Sequence, residues 1–194
     1  ELIPGLTINP IATMMNHNTN EVFFDNVEIP AEALIGTEGM GFRHILDGMN
    51  AERILIAAEC IGDGRFFLDR ASDYANERHV FGRPIGMNQG VQFPLAKAYA
   101  NLRAADLMRW QAANLFDRGE SCGAEANMAK MLASEASWEA GNAAVQTFGG
   151  FGFAEEYDIE RKFRETRLYQ VAPINNNLVL AFVAQKCLGL PKSY

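Results

Sequence analysis

The chain is 194 residues long, carries a formal net charge of −7, and is 48% apolar and 21% charged. That length and composition predict one domain with an ample core, plus a piece of another. An acidic balance without a dense basic block excludes nucleic acid and anionic membrane surfaces as expected partners, and no apolar run approaches the roughly 20 residues that span a bilayer.

Residues 1–30 are unlike the remainder. The stretches 6–8 and 21–29 are β-rich, separated by Asn-rich turn material, and Pro30 is predicted to end the second strand because it brings no ladder donor. Two strands do not make a stable sheet alone, so either they pack on the helices or, the favoured reading, they are the tail of a β-domain lying outside this sequence. No signal peptide is visible, and the chain opens on Glu1-Leu2-Ile3-Pro4.

Leu34-Ile35-Gly36-Thr37-Glu38-Gly39-Met40-Gly41 is a glycine-punctuated link. It is no dinucleotide fingerprint, since a Pro-Ala-Glu-Ala turn separates it from the preceding strand. It reads as a hinge, with 1–35 as the β tail and 36–194 as a helical domain. A short helix is expected over 42–49 and a long one from Glu52 to about residue 77. In the latter, Ile54, Ala57, Ala58, Ile61, Leu68, Ala71 and Ala75 form one apolar face. Glu52-Arg53 sits at its mouth. Taken alone, the pair reads as a solvated first turn, where a carboxylate suits the helix dipole.

Gly82 and Pro84 break the helix. The next helix is predicted over 89–117, with Val91, Leu95, Ala98, Leu102, Ala105, Met108, Ala112 and Leu115 on its apolar face and Gly119 just past its end. A third helix over 123–148 has an alanine seam at 126, 129, 133, 136, 140 and 143, while Leu132, Trp138 and Val145 supply bulk elsewhere. Gly149-Gly150-Phe151-Gly152 follows, where glycine either caps and turns the helix or lets backbone approach a ligand. A charged helical segment over 161–170 and a last helix over 174–188, with Pro173 at its first position, complete the chain. The expected fold is mainly α: an up-and-down four-helix bundle preceded by a short β segment.

Cys60, Cys122 and Cys187 are odd in number and far apart, so they read as packing thiols of a reducing compartment. The expected location is cytoplasmic, or the mitochondrial matrix in a eukaryote. His17, His44 and His79 show no metal spacing, and no metal is expected.

Several stretches, in this order, resemble the acyl-CoA dehydrogenase family. They are Asn20-Glu21-Val22-Phe23-Phe24-Asp25-Asn26-Val27-Glu28-Ile29-Pro30 and Gly36-Thr37-Glu38-Gly39-Met40-Gly41. Then come Glu77-Arg78-His79-Val80-Phe81-Gly82-Arg83-Pro84-Ile85 with Gln89, and Ala144-Val145-Gln146-Thr147-Phe148-Gly149-Gly150-Phe151-Gly152-Phe153. Glu156-Tyr157 and the charged run 161–167 close the series. The resemblance implies a flavoenzyme of three domains, of which this chain holds the end of the middle β-domain and the C-terminal four-helix bundle. The isolated piece is then expected to be inactive and to hold flavin weakly or not at all.

The family reaction is α,β-dehydrogenation of an acyl-CoA thioester: a carboxylate takes the α-proton while the β-hydrogen leaves as hydride to N5 of FAD. Most members carry that base in a Tyr-Glu-Gly-Thr stretch before the last helix. The matching stretch here is Ala172-Pro173-Ile174-Asn175, and proline cannot move a proton. A minority carries the base on the first long helix of the bundle beside an arginine, and Glu52-Arg53 falls on that pair. The resemblance thus implies Glu52 as general base with Arg53 as its electrostatic neighbour.

Cofactor contacts carry over in the same way. Arg78 matches an arginine that reaches the flavin pyrophosphate across a subunit interface, a task suited to a guanidinium; an ion pair with Asp73 is the plainer reading. Phe81 matches a residue near the adenine, with ordinary core packing as its alternative, and Gln89 a donor to the same region. Gln146, Gly149 and Gly150 match a loop near the partner's adenosine diphosphate. Asn175 and Asn177 replace a threonine and a glutamine that touch the flavin. Such contacts imply self-association to a dimer or tetramer, and an electron-transfer flavoprotein is the acceptor expected of the family. Competing readings are a catalytically inactive partner or scaffold subunit, which Pro173 favours, and an acyl-CoA oxidase or flavin monooxygenase on the same scaffold.

Overall fold

Long apolar stripes become long helices in the computed structural model, which describes residues 3–15 and 18–193, apart from the Asp47 side chain. Contacts divide the chain into two units, Glu1–Gly48 and Met49–Tyr194, and each is taken by itself.

In the first unit, β1 (Leu6–Ile11) and β2 (Thr19–Phe24) pair antiparallel, with Leu6 opposite Phe24 and Ile11 opposite Thr19. β1 outruns the expected 6–8 and takes in Pro10, which is tolerated because both strands of a two-stranded ribbon are edge strands. β2 stops well before Pro30. Asn26 turns the chain at φ +49°, and the Asp25 N–H donates to the Gly5 carbonyl at 2.8 Å, so turn chemistry ends the strand before proline can. In the glycine link, the His44 imidazole accepts the Thr37 N–H at 3.3 Å. His17 lies outside the described residues.

The expected short helix over 42–49 and the long one after it are a single element, α1 (Gly41–Glu77). No proline separates them, and an isolated Gly48 costs only about 1 kcal/mol against alanine.

In the second unit, α2 (Gln89–Asp117) and α3 (Gly123–Phe148) have the predicted limits. Gly119, at φ +69°, closes α2 by donating to the Phe116 carbonyl at 2.9 Å, and the Glu120 N–H reaches Leu115. The core is drawn from the three stripes. It includes Ala57, Ile61, Phe67 and Leu68 of α1, Ala98, Leu102 and Ala105 of α2, and Ala126, Ala129, Ala133, Ala136 and Ala140 of α3. Two glycines set how closely the helices meet: a Cβ on Gly64 would stand 2.4 Å from Leu102, and one on Gly141 3.2 Å from both Phe67 and Phe163. Trp138 stacks on Phe163 with centroids 4.4 Å apart, whereas Leu132, expected as bulk packing, is exposed.

The fourth side of the bundle is assembled from short pieces. After α3 come 3-10 turns at Gly149–Phe153 and Glu155–Tyr157, then α4 (Ile159–Thr166) with a 3-10 extension, Arg167–Gln170. The last helix, α5 (Asn176–Phe182), runs into a π-helical turn at Val183–Cys187. Its start corrects the sequence expectation. Asn175, not Pro173, begins it, because the Asn175 side-chain oxygen accepts the Leu178 N–H at 2.9 Å and asparagine is among the strongest N-caps. Cys60 and Cys122 are buried as packing thiols, while Cys187 is exposed.

Lys162 of α4 reaches the buried Asp63 of α1 at 2.6 Å and Glu165 at 3.5 Å. Burial pushes the Asp63 carboxyl up despite the bond from Lys162, helped by Glu59 and Glu165. Burial pulls the Lys162 ammonium down, yet its two acidic partners outweigh it and raise it overall. The two shifts are consistent because Lys162 has two acids for partners, whereas Asp63 has one cation and two like-charged neighbours.

Candidate functional site

The Glu52-Arg53 pair sits in the second unit's share of α1. Glu52 is exposed and Arg53 half-buried. The Arg53 Nη1 donates to the Asn50 carbonyl oxygen of the side-chain amide at 3.1 Å, while its Nε is buried without a partner. Burial pulls the guanidinium down and Glu52 beside it pulls it back up. A buried donor left unmet costs about 1–3 kcal/mol, which marks a place where an acceptor is missing.

Across from this turn stands a residue that sequence reasoning missed. Lys130 of α3 is fully buried, and its Nζ donates to the Ile174 carbonyl at 2.6 Å and to Asn176 Oδ1 at 3.0 Å. Burial pulls its ammonium down to about 8; the positive charge of Arg53 lowers it further and Glu135 raises it. Lys130 therefore ties α3, on which it sits, to the segment just before α5, with Arg53 of α1 acting on it as a like charge. That segment contains Pro173. A signal existed in the sequence, since Lys130 interrupts the alanine seam between Ala126 and Ala133, where a charge is out of place unless partnered.

Of the two asparagines expected near a cofactor, both are exposed. Asn175 has committed its oxygen to the α5 cap, so only its NH₂ remains free to donate.

A second group lies at the other end of α1. β3 (His79–Val80) and β4 (Arg83–Pro84) form a hairpin whose two-residue turn is Phe81-Gly82. Both turn residues have positive φ, +53° and +78°, the pattern of a type I′ turn, which places strain on a phenylalanine. Phe81 is 99% exposed, so core packing does not explain it. Arg83 donates to Asn88 Oδ1 at 2.8 Å, and Gln92 to the Gly86 carbonyl at 2.7 Å, which fasten the hairpin to the start of α2. Arg78 is exposed, and no ion pair to Asp73 forms among the described residues.

Arg78 and Gly150 meet in one cleft of about 560 Å³, walled by Tyr74, Val80, Phe148 and Phe151. Tyr74 stacks on Phe148 at 4.2 Å, and Tyr157 packs edge-on against both, so its wall is a packed aromatic cluster. Gly149, beside it, has φ +59° and ψ −130°, a conformation nearly closed to other residues. Gln146 is not part of this cleft. It lines another of about 590 Å³ between α2 and α3, with Phe93, Lys97 and Glu139. Gln89, the first residue of α2, is exposed and lines neither. The arrangement offers a guanidinium, free backbone and aromatic surface, the set suited to a nucleotide diphosphate. Among the described residues no cluster of metal ligands occurs, and no helix is long and apolar enough to cross a membrane.

Residues 39–187 match the model of the acyl-CoA dehydrogenase C-terminal domain. The acyl-CoA dehydrogenase FadE12 of Mycobacterium tuberculosis is 44% identical over 195 residues, covering 98% of this chain and 50% of its own length. The solved glutaryl-coenzyme A dehydrogenase–glutaryl-CoA complex superposes with a TM-score of 0.91 at 32% identity, covering 98% of this chain and 49% of that one. The structure of PigA with FAD and proline superposes with a TM-score of 0.90 at 29% identity, covering 97% and 50%. The chain spans about half the length of the curated relatives it matches.

Proposed function

The chain belongs to the acyl-CoA dehydrogenase family, and from that premise we propose that it is the C-terminal part, residues 36–194 with a β tail before them, of an FAD-dependent enzyme that introduces an α,β double bond into an acyl-CoA thioester. The observation that carries the reading is the Glu52-Arg53 turn: an exposed carboxylate next to a guanidinium whose buried Nε has no acceptor.

The Glu52 carboxylate takes the α-proton, and the electron pair of that C–H bond becomes the new C=C bond. FAD, when bound, accepts the β-hydrogen with its electron pair. Negative charge builds on the thioester oxygen as the α-proton leaves, and the positive charge of Arg53, with that of Lys130 added to it, favours that charge. Pro173 takes no part in proton transfer, and its ring occupies the position the commoner base would hold.

The residues present fit the cofactor. Among the described residues Arg78 has no ion pair competing for its fork, Gly150 leaves the cleft floor open, and Gly149 is exposed. Arg78 would pair with the pyrophosphate, and Phe81 and Gln89 would flank the adenine. Gln146, Gly149 and Gly150 would approach the nucleotide of a second subunit, and the free NH₂ of Asn175 and the amide of Asn177 would donate to the flavin. Their spread over separate clefts supports a dimer or tetramer in which each cofactor is shared. An electron-transfer flavoprotein would reoxidise it.

The test uses the full-length flavin-loaded protein mixed anaerobically with butyryl-, isovaleryl- and palmitoyl-CoA while flavin bleaching is followed. Glu52→Gln keeps size and hydrogen bonding but removes the base, and should slow bleaching about 10²–10⁴-fold with flavin retained. Equal bleaching in both proteins overturns the assignment of Glu52. No bleaching with any thioester moves the reading to an inactive partner subunit, the alternative that Pro173 favours.

A further inference from the structure

The Lys130 side chain is costly and needs a reason. Lys130 is fully buried on a helix face that it shares with alanines and the uncharged Asn127, Ser134 and Ser137, where a methionine of similar volume would pack without desolvating a charge. Among the described residues, Glu135 is the only carboxylate acting on it. What it receives in return is the segment before α5: the Ile174 carbonyl at 2.6 Å and Asn176 Oδ1 at 3.0 Å. Asn176 is itself cross-tied, its Nδ2 donating to Ser134 Oγ at 3.2 Å and to Glu135 Oε1 at 3.3 Å. Pro173 and Asn175, on either side of Ile174, are exposed, so water could satisfy this stretch of backbone if stability alone were at stake.

We propose that Lys130 is a positioning residue for the dehydrogenation site: its buried ammonium ties the 172–176 segment to α3, and its positive charge adds to that of Arg53 in the field at the site. This rests on the reading of Glu52 as base. The groups that face the ammonium are Arg53 and Cys60 from α1, Glu135 from its own helix, and the Ile174 carbonyl and Asn176 amide from the segment before α5. Cys60 stays a neutral thiol, because burial pushes its titration far up. With Arg53 as a second cation nearby, the proton on Lys130 is the one that leaves as pH rises through about 8. The segment then keeps hydrogen bonds from a neutral amine, while the field at the site loses one positive charge.

Two variants of the full-length protein test this, Lys130→Met and Asn176→Ala, each by two measurements. The first is amide hydrogen exchange over residues 172–178 in the flavin-free protein, which needs no turnover. Both variants should exchange at least about tenfold faster there, with α2 unchanged. The second is the pH profile of anaerobic flavin reduction by the acyl-CoA that works best. Wild type should lose rate on an alkaline limb near pH 8, Lys130→Met should be slower with that limb absent, and Asn176→Ala should move the limb to lower pH. A role confined to packing would slow the reaction without moving the limb. Wild-type exchange in Lys130→Met, or an alkaline limb unmoved in either variant, overturns the proposal. Where Lys130→Met does not fold, Asn176→Ala decides by the same two criteria. The base reading fails on a different result, Glu52→Gln reducing flavin like wild type.

Discussion

The adjacent glycines at 149 and 150 look alike in the sequence but are predicted to respond differently to a methyl group. Gly149 holds φ +59° and ψ −130°, whereas Gly150 is not among the residues with positive φ. An added Cβ meets nothing within 4 Å at either position, so steric overlap inside the chain contributes nothing and only the backbone differs. Gly149→Ala should therefore cost about 1–3 kcal/mol in strain, lowering the melting temperature of the flavin-free protein by roughly 2–4 °C per kcal/mol for a domain of this size. Gly150→Ala should leave that melt within about 0.5 kcal/mol of wild type. Flavin titration gives the complementary reading. Gly150 lines the Arg78 cleft, so its methyl group intrudes on a bound nucleotide and should weaken FAD about tenfold, the size of a modest overpacking penalty. Using flavin-free protein for the melts keeps cofactor linkage out of the stability value. A Gly149→Ala protein as stable as wild type refutes the backbone argument. A Gly150→Ala protein that binds FAD normally refutes the placement of the nucleotide in this cleft.

Arg78→Ala should weaken FAD binding by about 1.5–3 kcal/mol, roughly 10- to 150-fold, with the flavin-free melt unchanged because the side chain is exposed and forms no ion pair among the described residues. Arg78→Lys should recover only part of the affinity, since an ammonium lacks the paired fork, and isothermal titration with FAD checks both. Asp63→Asn bears on the charge cluster beneath α4. The folded Asp63 carboxyl titrates above its unfolded value, so the folded state holds the extra proton between those two values. The burial penalty is then fully present above the raised value and relieved as pH falls to the ordinary carboxylate range. Urea unfolding of the two proteins across that window should show wild type gaining on Asp63→Asn as the solution is acidified, and a constant difference would contradict the shift.

The helical half of this protein could be read residue by residue for a simple physical reason. In α2 and α3 the apolar stripe, the flanking glycines and the helix limits are all local, set by chain stiffness and by a period that burial repeats along the whole length. Every alanine chosen for the α3 seam is buried, and Gly119 has the left-handed backbone expected of it. Where two local signals compete, the sequence reading fails. Pro173 and Asn175 both suit a helix start, and only the bond from Leu178 shows that the asparagine takes it. Pro30 and Asn26 both end strands, and the turn at Asn26 comes first.

The site divides along the same line. Glu52, Arg53, Arg78 and the glycine loop come from the family resemblance, because a carboxylate and a guanidinium by themselves read as a solvated first turn of a helix. That Arg78 and Gly150 share a cleft while Gln146 faces another is a matter of helix packing, which brings together residues some 70 positions apart and separates others only four apart. Lys130 shows this most plainly. In the sequence it is a flaw in an alanine seam, and its meaning comes from the Ile174 carbonyl, 44 positions away. Burial energy is local enough to be written in a pattern, but the partner that offsets a buried charge is chosen by the fold.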